Sequence, residues 1–217
     1  YRLLGLVPTV TATELEEWER LIFDACTLCG RCTLACPMGI DIAELIKEAR
    51  HGMFKAGLIP ERLQLMDRTT RAWGSPATPA EDFADIIKEV GEKYGVEMKV
   101  DLDKADYLVT VAPAELTEHT KALADAAKIL NKLGVSWTYH TEGFEASNIG
   151  YLNGDTELQE KMTRRLIDTA VKIGAKTLVL PECGHAYGAA RWEAARWYGG
   201  DIPVRIIHMT EFLQEAV

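Results

Sequence analysis

Apolar positions along this 217-residue chain follow two rhythms. In the first third they recur every three to four residues, the period of a helix with one buried face. Leu15, Trp18, Leu21 and Ile22 form one stripe behind Thr13 and Glu16, whose spacing fits a capping box. That stripe runs straight into Cys26. A second carries Ile42, Leu45, Ile46, Ala49 and Met53 behind Asp41, a side chain suited to an N-cap. A third helix is expected from Pro60, which fits a first turn. The run of small residues and prolines at 74–79 is the clearest break in the chain. A linking helix with Phe83, Ile86, Ile87 and Val90 on one side is expected after it.

Beyond that point short apolar runs alternate with long amphipathic ones. Strands are expected at 107–111, 135–139, 177–180 and 204–208. Helices are expected at 117–133, 155–173 and 186–198, ending at Gly134, Gly174 and Gly199, with a last one from about Thr210. Such alternation implies right-handed crossovers and a mostly parallel sheet with helices on both faces, so the fold class is α/β with a small helical unit in front. Ligands of such sheets sit beyond the carboxyl ends of the strands. Those ends read 112–115, 140–148, 181–185 and His208, and they hold His140, His185 and the one cysteine outside the first third, Cys183.

Composition narrows the function. Net charge is −9, and nucleic acid is excluded as a partner because phosphate binding needs a basic face. With 47% hydrophobic and 26% charged residues, the chain reads as an ordinary globular protein. It has no apolar run long enough to span a bilayer. The first residue is Tyr1, so either the chain is processed or residues precede it.

Four of the five cysteines fall within eleven residues, which points to a metal centre in a reducing compartment rather than a disulfide scaffold. Cys26, Cys29, Cys32 and Cys36 are separated by two, two and three residues and followed by Pro37, the spacing of bacterial ferredoxins. Short gaps wrap the backbone around one compact cluster and let its N–H groups face the sulfurs. Gly30 eases the wrapping, and Pro37 stops a helix from running through the site. These cysteines are the expected ligands of a [4Fe–4S] cluster. Zinc is the main competitor, but structural zinc sites usually use cysteine pairs set farther apart. Cys36 either closes the same cluster or serves a second one upstream.

The segment from Thr27 to Cys32 together with 36–42 resembles the ferredoxin-like part of heterodisulfide-reductase-type iron–sulfur proteins, including iron–sulfur subunits of membrane complexes in sulfite and sulfate respiration. The resemblance implies a ferredoxin-like [4Fe–4S] domain at 1–73, a linker and helix at 74–103, and a cysteine-rich α/β domain at 104–217. It implies an electron-transfer subunit, or a fragment of one, in an oxidoreductase acting on disulfides or other sulfur compounds. Other redox subunits are the expected partners, with a membrane quinone-reactive subunit among them and a cytoplasmic location. The α/β half departs from the family pattern. Ala112 and Ala114 stand where a cysteine is expected, 144–148 replaces a Cys-Cys pair, and Leu180 leaves Cys183 alone, so the family's specialised second cluster is not expected here. The alternative is a cluster-binding regulatory or assembly protein without redox catalysis.

Cys183 and His185 are the candidate catalytic residues. A following helix N-terminus is expected to lower the Cys183 pKa, in an accessible cleft shared with the 140–148 loop. Trp192 and Trp197 are expected to pack in the core or an interface, and Glu145 and Glu182 to be solvated on loops.

Overall fold

The structure, a computed structural model, describes residues 9–181 and 183–216. Glu182 therefore lies outside the described residues.

Helix α1 (Ala12–Glu19) starts at a capping box, but the pair is Thr11 and Glu14 rather than Thr13 and Glu16. Both pairs have the spacing. The earlier one prevails because Thr11 is extended and helix-favouring Ala12 carries the helix back to it. A π-helical turn (Arg20–Asp24) follows and buries Ile22, while Trp18 and Leu21 stay about half exposed. Next come α2 (Arg31–Ala35), α3 (Ile42–Lys55), α4 (Glu61–Trp73) and α5 (Phe83–Tyr94). Asp41 caps α3 by accepting the Glu44 N–H at 3.0 Å. Pro60 is the N-cap of α4, one position ahead of its expected place.

The α/β part runs β1 (Tyr107–Val109), α6 (Pro113–Thr117), α7 (Thr120–Lys132), β2 (Trp137–Thr138), α8 (Ile149–Asn153), α9 (Thr156–Lys172), β3 (Thr177–Leu180), α10 (Gly184–Tyr187), α11 (Ala194–Tyr198), β4 (Arg205–His208) and α12 (Met209–Ala216). The four strands form an all-parallel sheet in the order β2-β1-β3-β4. Successive strand residues serve opposite faces. Val109, Val179 and Ile207 pack with α5, α7 and α12, whereas Leu108, Leu178 and Ile206 pack with α9, α10 and α11. Burial on both sides is what a parallel sheet requires.

The helix expected at 186–198 is three pieces: α10, a π turn (Gly188–Trp192) and α11. Close packing accompanies the interruption. A Cβ on Gly188 would stand 2.7 Å from the Tyr151 hydroxyl, so the chain passes hard against α8 there. Trp192, expected in a core or interface, is 57% exposed. Trp197 is half-buried.

Helix α8 has no counterpart among the expected elements, and it joins the helical unit to the sheet. Gly150 lets it lie against the backbone of α9, where a Cβ would meet the Gln159 nitrogen at 2.2 Å. Gly154 ends it with φ +88°, and a Cβ there would stand 2.5 Å from the Arg50 carbonyl carbon. Around this contact Asn153 donates to Asp67 at 3.0 Å, and Arg71 pairs with both Asp67 and Asp155. Gly154→Ala therefore combines left-handed strain with a backbone clash, and should cost at least about 2 kcal/mol in urea unfolding. Gly57→Ala is the control: it has φ +71° but open space around the Cβ. Equal losses in the two variants would show that the close approach to α3 contributes nothing.

Candidate iron–sulfur site and sheet-edge cavities

The π turn delivers the chain to Cys26. Leu28 is buried in the left-handed region at φ 56°, and its N–H donates to the Cys26 sulfur at 3.4 Å. Gly30 follows at φ 74°, as the wrapping needs. These two residues turn the loop back on itself and put Cys32 in the first turn of α2. Cys36 is the C-cap of α2, in extended backbone ahead of Pro37. The Thr33 hydroxyl donates to Asp41 at 2.9 Å and accepts the Ala43 N–H at 3.0 Å, which ties α2 to the start of α3.

Cys29 and Cys32 are exposed, and Cys26 and Cys36 are partly buried. The Arg31 backbone N–H holds the Cys29 thiol below its usual pKa, with the Thr27 hydroxyl and the Arg31 charge adding to the effect. Among the described residues no three His, Cys, Asp or Glu side chains are grouped tightly enough for a single metal ion. The loop nevertheless fits an anionic cluster in two respects: N–H groups face the sulfurs, and a buried cation lies behind them. Arg50 is fully buried and donates to the carbonyl oxygens of Ile22 (2.8 Å), Leu152 (2.7 Å) and Cys26 (2.6 Å).

The loop opens onto a cavity of about 710 Å³ that is also lined by Cys183, His185, Tyr187, Trp192 and His208. Cys183 and His185 thus lie beside Cys29. They also line a second cavity of about 650 Å³, with Arg62, Ala112, Ala114 and Ser147. His140 reaches neither cavity. It is buried, and its Nδ1 accepts the Glu142 N–H at 3.1 Å. His208 bonds Thr210 through Nδ1 at 2.9 Å.

The expected lowering of the Cys183 pKa is overturned. Burial pushes the thiol up; the N–H groups of Ala186 and His185 oppose this, and the charges of Glu145 and Glu115 reinforce it. The following helix, α10, is only four residues long, too short to dominate. His185 is held below the usual histidine value, first by burial and then by the Arg50 charge.

Glu145 is also corrected, because it is buried rather than solvated. Its carboxylate accepts from the Ser147 N–H (2.7 Å) and the hydroxyls of Ser147 and Ser75. Burial nevertheless raises its pKa to about 7. Sequence reasoning missed Arg50 altogether and named Glu145 only as a solvated loop residue. Arg50 has a visible signal, a charge on the apolar stripe between Ile46 and Met53. Glu145 has none.

A 4Fe-4S binding domain matches residues 20–40, which include all four clustered cysteines. A chain of the dihydromethanophenazine:CoB–CoM heterodisulfide reductase from Methanosarcina barkeri is 27% identical over 229 residues, covering 96% of this chain and 50% of that protein. The Hdr-like menaquinol oxidoreductase iron-sulfur subunit of Archaeoglobus profundus is 26% identical over 186 residues, covering 80% of this chain and 33% of that one. A stretch of 45 residues is 44% identical to the alpha 2 chain of an acetyl-CoA decarbonylase/synthase complex from Archaeoglobus fulgidus. No solved structure matches the chain. The resemblance to heterodisulfide-reductase-type iron–sulfur proteins thus holds over most of the sequence, and it supports an iron–sulfur cluster and an electron-transfer role. The chain spans about half the length of the first curated relatives it matches. Among the described residues no helix is long and apolar enough to cross a membrane.

Two titrations test this chemistry. Glu145 titrates near 7 in the folded chain against an ordinary 4.5. The folded state therefore holds that proton more tightly, and its contribution to stability is lost as pH rises through 7. Glu145→Gln should flatten the fall in melting temperature from about pH 5 to about pH 8; an unchanged slope would refute the assignment. Cys183 should react with iodoacetamide more slowly than a free thiol at neutral pH, and accelerate only above the usual thiol range.

Proposed function

We propose that Cys26, Cys29, Cys32 and Cys36 hold one [4Fe–4S] cluster, and that this chain serves as an electron-transfer part of a heterodisulfide-reductase-like oxidoreductase. The observation that carries the reading is the cysteine loop itself, with its N–H groups turned toward sulfur and its Cys29 side opening on the cavity beneath the sheet edge. When bound, the cluster supplies a one-electron couple. The chain's own residues do the rest. Leu28 and Arg31 N–H groups stabilise thiolates, Thr33 and Asp41 fix the loop between Cys32 and α3, and Arg50 anchors the backbone at Cys26. On this reading residues 1–73 form the cluster domain and 104–217 the α/β domain beside it.

A one-electron centre needs a donor and an acceptor. We assign the chain to a larger redox assembly acting on a disulfide or another sulfur compound, docked at the cytoplasmic side of a membrane quinone-reactive subunit. Relatives named as subunits of heterodisulfide reductase and of a menaquinol oxidoreductase support this. So does the surface around the cluster loop, where Leu34 and Met38 are 89% and 79% exposed beside Cys32 and Cys36.

Anaerobically purified protein should contain iron and sulfide and show broad visible absorption that Cys29→Ala diminishes or abolishes. Stoichiometric zinc without sulfide would end this reading.

A further inference from the structure

Arg50 has no carboxylate partner among the described residues, although its side chain is wholly out of water. Carbonyl oxygens satisfy its N–H groups but carry no net charge. A buried cation left that way is costly, and chains that keep one normally place an anion nearby. The groups that favour its charge are Cys26 and Tyr151. Tyr151 is itself buried, with its pKa pushed up to about 12 mainly by that burial, so it is neutral at physiological pH. The Phe23 ring, 5.2 Å from the guanidinium, carries no net charge either, which leaves the Cys26 side chain as the group that can supply the anion. Nη2 lies 2.6 Å from the carbonyl oxygen of Cys26, itself a proposed ligand, and Nε holds the Ile22 carbonyl in the turn that delivers it.

We propose that Arg50 sets the reduction potential of the cluster, as a fixed cation behind its Cys26 side that favours the reduced form. This rests on the cluster assignment above. Reduction adds one electron and so one unit of negative charge to the site. A cation placed in low dielectric beside it stabilises that state more than the oxidised one, and raises the potential. Arg31 also lies close in sequence, but it is exposed, so water and salt screen its charge. The α3 helix holds Arg50 rigidly, and Leu152 of α8 fixes the third N–H, so the charge cannot swing away.

The test is a redox titration of the cluster-loaded protein followed by EPR. Arg50→Gln should lower the midpoint by at least about 59 mV, a tenfold change in the one-electron equilibrium constant. Arg50→Lys should stay close to the native value, and Arg31→Gln should shift it less than Arg50→Gln, with an effect that disappears in high salt. A merely structural role would alter stability while leaving the potential of the folded fraction unchanged, and that result would overturn the proposal. If Arg50→Gln does not fold, pulsed EPR on Arg31→Gln protein labelled with nitrogen-15 arginine reads the contact directly. Hyperfine coupling from a guanidinium to the reduced cluster is expected, and its absence would overturn the proposal. Protein without iron and sulfide would instead defeat the cluster assignment, a separate outcome.

Discussion

One guanidinium constrains much of this structure. Arg50 is fully buried, and its three hydrogen bonds end on carbonyls from the turn before the cysteines, from Cys26 itself and from α8. A buried charge tolerates no half-measures: each missing acceptor leaves an unsatisfied donor in low dielectric. Those three segments must therefore arrive together or not at all. The helical unit, the cluster loop and the α/β part become mutually dependent, and the left-handed Gly154 lets α8 come close enough to α3 for the contact to form.

Much of this can be read along the chain, and the limits have physical causes. Strand β3 falls where expected because Thr177, Leu178, Val179 and Leu180 are buried on both faces and bounded by a glycine-led turn and Pro181. The cysteine run is legible because its spacing is set by the object it wraps. Helix α8 is hidden because five residues, Ile149 to Asn153, are too few to show a period, and only tertiary contacts make them a helix. Arg50 is visible as a charge within an apolar stripe, but its three acceptors lie 24 to 102 residues away and no local rule names them. The burial of Glu145 depends on Ser75, seventy residues back, folding over it.

The same separation explains the misjudged Cys183. A helix N-terminus favours a thiolate only if the helix is long enough and water or donors reach the sulfur. Here the helix is four residues, the thiol is largely out of water, and the charges of Glu145 and Glu115 oppose ionisation. Burial and negative charge together outweigh two N–H groups.

Cys29 and Cys183 line one cavity, yet their surroundings push them in opposite directions. Iron takes the thiolate, not the thiol, so a thiol held below its usual pKa gives up its proton to metal more readily than one held above it. The loop around Cys29 offers N–H groups and the positive charge of Arg31; Cys183 meets burial and the negative charges of Glu145 and Glu115. With a cysteine present at both places, the loop is the one whose electrostatics favour a thiolate. The sheet edge is left with a protonated thiol near Glu145, a carboxyl that exchanges its proton near neutral pH.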